Sequence, residues 1–398
     1  MKRYGVALLA ALALVACSKD RKGKEDPPAE LVKFAATVRV DRVWQAGIGG
    51  DKPVMRLGLG VGTYGERVYA ASPDGDVGAF DLKSGRALWR TKTKASLGGG
   101  TGAGASLVAV GSRDGEVLAL DADTGAVRWR AAVSGEVLSA PAVADTVVVV
   151  RTVDGRLYGF AAADGKLLWN EEQQVPRLTL RGAARPVIVG DTVICGFDNG
   201  RVLALNLADG AVVWDIAVAT PRGRSELERL NDIDSQVRVL GDDLYVVGFQ
   251  GRAAMLARDS GQIWWSRDLS SFRGLDVDDE QVVVSVADGE LVALQRRTGV
   301  EIWRNSSLMR RSLSSPTLLG GLVAVADFEG YVHWFDKRDG KLVARTSVGD
   351  RVSNPPVAVG GMLLVMDDKG GIAAFRPQIP ASEAAPAAAP APAPPSGG

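Results

Sequence analysis

Apolar residues in the body of this chain fall in short runs bounded by polar turns, the pattern of strands joined by hairpins. Runs such as LVAVGS, TVVVVRT, TVICGF, DLYVVGF and LVAVADF each lead into a dipeptide ending in glycine. These dipeptides are Asp74-Gly75, Asp114-Gly115, Asp154-Gly155, Asn199-Gly200, Gln250-Gly251, Asp288-Gly289, Glu329-Gly330 and Lys369-Gly370. A second apolar run follows each, among them VGAFD, VLALD, LYGFA, VLALN, LVALQ and VHWFD. In seven copies a second glycine comes ten residues after the first, from Gly85 to Gly340, and in six of these a tryptophan follows four residues later: Trp89, Trp129, Trp169, Trp214, Trp265 and Trp303. The seventh copy carries Ala344 instead.

The repeat is about forty residues long and has room for four short antiparallel strands. One such sheet cannot cover both of its faces, but radial repetition lets each pack on its neighbours. Eight glycine dipeptides predict eight units. The eighth stops short: after Lys369-Gly370 comes IAAFRP and then a Pro/Ala-rich tail, with no second glycine and no tryptophan. Near the N-terminus, Val43-Trp44 stands without a preceding Asp-Gly. The segment around Val38–Trp44 is therefore expected to supply the outer strand of the last unit, closing the ring and hiding its free edges. The expected fold is all-β: an eight-bladed β-propeller of four-stranded antiparallel blades, spanning 37–376.

Composition agrees with this pattern. Glycine accounts for 48 of 398 residues, well above the usual ~7%, as many tight turns require. The formal net charge is zero, which gives no reason to expect nucleic acid as a partner, because phosphate binding needs a basic face. One histidine, His333, and two cysteines, Cys17 and Cys195, leave little material for a Ser-His-Asp triad, a Cys-His pair or a multi-histidine metal site. His333 sits where other copies place Leu118, Tyr158, Leu203 and Val292, and reads as a residue between blades. Cys195 reads as a buried free thiol. The stretch Gly98-Gly99-Gly100-Thr101-Gly102 is followed by no Gly-Lys-Ser/Thr, so it reads as a flexible crossover between blades and not as a phosphate loop. No cofactor or metal is expected.

The ends have their own signals. Met1-Lys2-Arg3 and the apolar run to Ala16 read as an export signal, too short to be read as a membrane span. The run ends in Leu14-Val15-Ala16-Cys17, which resembles the bacterial lipobox; that resemblance implies cleavage before Cys17, lipid on Cys17 and, with Ser18 rather than Asp following, sorting to the outer membrane. Residues 17–36 are charged and contain proline, and read as a flexible tether; residues 377–398 read as a disordered tail.

Segments such as DADTGAVRW at 121–129 and NLADGAVVW at 206–214 resemble the pyrroloquinoline-quinone-type propeller repeat, shared by quinoprotein dehydrogenases and non-enzymatic proteins. With the lipobox, the length and the eight repeats, the chain further resembles the BamB family of propeller lipoproteins from the outer-membrane β-barrel assembly machinery. Two segments carry that likeness, LTLRG at 178–182 and ERLNDID at 228–234. The resemblance implies a non-enzymatic scaffold on the periplasmic face of the outer membrane. It further implies contact with the barrel-forming subunit BamA through Leu178, Leu180 and Arg181 in the first loop and Asp232 and Asp234 in the second. By the same analogy, a strand edge or rim is offered to nascent outer-membrane proteins.

The repeat points to the same loops independently. From the tryptophan of one unit to the next glycine dipeptide the separation is 30 residues for Trp169 to Asn199 and 36 for Trp214 to Gln250, longer than in most copies. Trp44 to Asp74 is also 30, so length alone does not single them out. Read from the residues alone, Leu178 and Leu180 equally suit the inward face of a strand, Arg181 a solvated surface, and Asp232 and Asp234 a turn cap or a cation. A quinoprotein dehydrogenase, one alternative, typically carries an adjacent cysteine pair that this chain lacks; the other is a propeller that binds another cell-envelope partner.

Overall fold

The computed structural model describes residues 26–49, 58–104, 106–180, 184–219, 224–225, 227–228 and 230–378. Among them there is no helix; thirty-two strands form eight four-stranded antiparallel sheets. Blade 1 runs from Gly62 to Lys92, blade 2 from Gly102 to Ala132, blade 3 from Ala142 to Glu172 and blade 4 from Val187 to Ala217. Blade 5 runs from Arg238 to Arg267, blade 6 from Leu275 to Asn305 and blade 7 from Thr317 to Ser347. Each is ordered inner, second, third, outer. Blade 8 takes its first three strands from Val357–Gln378 and its outer strand from Arg39–Gly47, which pairs antiparallel with Gly371–Gln378. The closure expected from Val43-Trp44 is thus formed, and the third strand continues to Gln378.

The two glycines of the repeat define the two faces of the ring. The first glycine turns the second strand into the third, on the same face as the crossovers that lead from one blade to the next. The second turns the third strand into the outer one, on the opposite face. We call these the crossover face and the outer-turn face.

Trp and the second glycine meet between blades. A Cβ on Gly125 of blade 2 would fall 2.4 Å from the Trp89 ring of blade 1, and the φ of Gly125 is +73°, so only glycine fits at both counts. The indole N–H of Trp89 donates to the Ala122 carbonyl at 3.0 Å. The same pairing recurs from Trp44 against Gly85 of blade 1 to Trp303 against Gly340 of blade 7. Each tryptophan therefore reads the glycine of the following blade. That accounts for the two gaps in the sequence pattern together. Blade 8 has no turn between its third and outer strands, because its outer strand comes from the N-terminus, so blade 7 has no glycine to meet. The space opposite Ala344 is filled from the third strand by Trp334, directly across from it and fully buried.

Two sequence expectations change. The glycine-rich stretch at 98–102 is a crossover, but a buried and close-packed one: a Cβ on Gly102 would lie 2.0 Å from the Pro141 carbonyl oxygen. The tether expected over 17–36 is laid against the ring from Pro27 onward, with the Ala29 amide bonded to the Met309 carbonyl at 2.9 Å. His333 is fully buried and bonded through Nε2 to Asp327 at 3.0 Å. Cys195 is buried with its thiol pushed up to about 12 by loss of solvent, which makes it inert as a nucleophile.

Candidate functional site

The two long crossovers, from blade 3 to blade 4 and from blade 4 to blade 5, lie side by side on the crossover face. Leu178 and Leu180 are in irregular backbone between the strands Leu167–Glu172 and Val187–Val189, so neither belongs to a strand face. Their side chains are 42% and 39% exposed. Val175, 38% exposed, precedes them, and Leu227, 63% exposed, comes from the second crossover. The other large exposed apolar side chains among the described residues lie on outer strands, on the N-terminal segment or on the outer-turn face. Among the described residues, the large exposed apolar side chains of the crossover face are thus confined to these two neighbouring crossovers. Val175 and Leu227 carry no motif of their own; their signal was the length of the insertions.

The acidic residues are placed differently from the expectation of a contact surface. Asp232 is fully buried and Asp234 half-buried. Asp232 accepts the backbone N–H of Leu180 on Oδ2 at 2.5 Å. Its own backbone carbonyl takes the Phe249 amide at 2.9 Å, while the Ile233 amide reaches the Phe197 carbonyl at 3.1 Å. Ile233, between the two acids, is buried in the core shared by blades 4 and 5. The second crossover is therefore stitched between the turns of those blades, and the first crossover is hung on it through Asp232. Arg181 and Cys17 lie outside the described residues.

Beneath these loops is a charge cluster that the motifs did not reveal. Arg151, at the end of a blade 3 strand, donates from Nη2 to Asp198 Oδ1 in the blade 4 turn at 2.5 Å; both side chains are essentially without solvent. The Arg151 guanidinium also stacks over Phe197, 5.1 Å from the ring centre. Burial raises the Asp232 carboxyl to about 6; the Leu180 N–H opposes the rise, the Asp198 charge adds to it and Arg151 opposes it. Asp234 is raised well above its ordinary value by burial and then by the Asp198 charge. Asp232 and Asp234 thus share the Arg151 guanidinium with Asp198, and burial and repulsion between the acids raise both of them. A repeat alignment carries the signal: Arg151 stands where other copies have Ala71, Gly111, Gly196, Val247 and Ser285, all able to enter a dry strand end.

Comparison with known proteins fits this geometry. The family model described as outer membrane protein assembly factor BamB matches residues 73–305 and 287–378. The chain belongs to the BamB family. It is 45% identical to the BamB of Pseudomonas aeruginosa over 374 residues, covering 94% of this chain and 98% of that one. It is 48% identical to the BamB of Alkalilimnicola ehrlichii over 376 residues, covering 94% and 97%. The crystal structure of BamB from Moraxella catarrhalis superposes with a TM-score of 0.78 at 28% identity, covering 85% of this chain and all of that one. A quinohemoprotein alcohol dehydrogenase from Comamonas testosteroni superposes at 0.66 with 12% identity, a likeness of fold alone.

Proposed function

We propose that this protein is a non-enzymatic scaffold of the outer-membrane β-barrel assembly machinery, docking on BamA through the paired crossovers of blades 3, 4 and 5. The curated relatives are named assembly factors, and the observation that carries the docking surface is its exposed aliphatic patch. Val175, Leu178, Leu180 and Leu227 are the large apolar side chains exposed on the crossover face among the described residues. Arg181, next to Leu180 in sequence, is the charged member of the same proposed contact. Asp232 serves the same surface from beneath, by holding the first crossover in place, and Asp234 lies two residues on in the same buried stretch of the second. This is the usual division of a recognition surface: apolar anchors exposed on loops, supported by a rigid frame. Cys17 carries the lipid that keeps the scaffold at the periplasmic face of the outer membrane.

The test is co-purification from detergent-solubilised envelope. Leu178→Glu with Leu180→Glu is expected to abolish recovery of BamA, while Leu88→Glu, on an exposed outer strand, leaves it unchanged. Undiminished recovery with the double variant would remove the patch from the interface. Cys17→Ala is expected to release the protein from the membrane fraction.

A further inference from the structure

The N-terminal strand of blade 8 enters the ring from an unexpected side. Arg39 pairs with Gln378 and Gly47 with Gly371, so this strand begins at the outer-turn face and ends at the crossover face. A linker leaving directly from Arg39 would emerge on the outer-turn face, opposite the patch of Leu178 and Leu180. It does not do so. The Thr37 and Val38 amides both reach the Val343 carbonyl, at 2.9 and 3.3 Å, and the preceding residues run back along the outer edge of blade 7 to the crossover face.

That path is held at every step. Phe34 lies under the Arg345 guanidinium, 5.2 Å from its ring centre, and Arg345 donates to the Val32 carbonyl at 3.2 Å. Leu31 packs against the apolar core between blades 6 and 7. Arg311 donates to the Ala29 carbonyl at 3.0 Å, and Arg310 to the Pro27 carbonyl at 2.9 Å. Arg310 and Arg311 belong to the crossover from blade 6 to blade 7, where the Arg310 amide sits on the Asp288 carbonyl at 2.7 Å. The arginines are themselves fixed. Arg311 is bonded to Asp327 at 2.8 Å and to Glu329, and Arg345 donates to His333 Nδ1 at 3.2 Å. The buried histidine thus serves this support.

We propose that residues 27–36 are a strap that returns the N-terminus to the crossover face between blades 6 and 7, so that the crossover face is the one turned toward the lipid surface. This rests on the anchor at Cys17. Ten peptide steps separate Cys17 from Pro27, a reach of at most about 35 Å when fully extended. The exit at blades 6 and 7 leaves the crossovers of blades 3 to 5 uncovered on the same face, so a partner embedded in that membrane meets the patch without the ring turning over.

The test uses the lipidated protein on phosphatidylethanolamine–phosphatidylglycerol vesicles carrying a headgroup-attached quencher. A fluorophore is placed on the crossover face through Asp114→Cys or on the outer-turn face through Thr124→Cys; the buried Cys195 does not compete. Quenching is expected to be several-fold stronger from position 114 than from 124. Phe34→Ser, alone or with Arg345→Ala, is expected to raise hydrogen exchange over 27–36 and bring the two positions to equal quenching; Phe34→Ser leaves the interior of blade 7 intact. Equal quenching in the parent protein, or an undiminished difference once exchange reports the strap released, overturns the proposal. A parallel chain beginning at Ser18, held on nickel-chelating lipid by an N-terminal hexahistidine tag, separates the two readings. If the envelope-extracted protein fails to bind vesicles but the tagged chain keeps the difference, the anchor at Cys17 fails and the strap stands.

Discussion

The backbone N–H of Leu180 is held by the carboxylate of Asp232, 52 residues further along the chain. This one bond joins the exposed middle of the first long crossover to a fully buried acid of the second. Asp232→Ala is expected to loosen residues 175–180 and to weaken BamA recovery while the ring stays folded. A hydrogen bond to a charged acceptor is worth ~1.5–3 kcal/mol, so the midpoint of urea unfolding should fall modestly. Hydrogen exchange over 175–180 should rise well beyond what that fall explains. An exchange pattern identical to the parent would show that the loop is held by something else.

The same acid gives a pH dependence of defined sign. Its folded value is raised to about 6, above the ordinary carboxylate range, so the folded state binds the proton more tightly than the unfolded chain. The stability it contributes is present at pH 4 and lost as pH rises to about 6. Asp234, raised in the same direction, acts likewise. Acids held down by partners, such as Asp278 under Lys337, work the other way, so the informative quantity is a difference. Asp232→Asn should gain on the parent as pH rises from 4 to 6 and keep the gain at pH 7, measured by urea midpoints. A difference independent of pH would refute the raised value.

Arg151 is paired with Asp198 in the absence of solvent. Arg151→Met removes one partner and leaves buried carboxyls without their cation, at a cost of ~3–5 kcal/mol. The combined change Arg151→Met with Asp198→Asn should recover a large part of it. Thermal unfolding of the single and double variants measures the coupling; strict additivity would argue against a direct pair.

The joint between blades predicts unequal penalties for one substitution. Gly125→Ala meets the Trp89 ring at 2.4 Å and also keeps a positive φ. Gly190 has φ +57° but nothing within 4 Å of an added Cβ, so Gly190→Ala should cost ~1–2 kcal/mol from backbone strain alone. Gly125→Ala should add ~1–3 kcal/mol of overpacking. Equal losses in thermal midpoint would mean the indole yields freely.

The ring was legible in the sequence because its joints are local patterns repeated in register: a glycine where the chain turns, an indole four residues on. Even the two gaps, Ala344 and the missing second glycine of the last unit, follow one rule once Trp89 is seen to rest on Gly125. The candidate surface was legible by insertion length and by LTLRG and ERLNDID, but its layering was not. Whether Asp232 points outward or inward depends on Ile233 being drawn into the core between blades 4 and 5, which is a tertiary outcome. The strap was illegible for a different reason. Its composition is that of a disordered linker, and most of what holds it is backbone carbonyl captured by Arg310, Arg311 and Arg345. Those groups leave no mark on the segment they bind.

The seam between the N-terminal strand and the last one sets an order of events in biogenesis. Asp41 and Gln378 are hydrogen-bonded across 337 residues, so the earliest strand to be synthesised waits for the final one. Closure over so long a loop is slow relative to local hairpins, and seven blades can form while the eighth still lacks its edge. Until the C-terminal strand arrives, both that edge and its future partner are open to other strands. Export of an unfolded chain, followed by folding as a whole on the far side of the inner membrane, is the route that such a clasp favours.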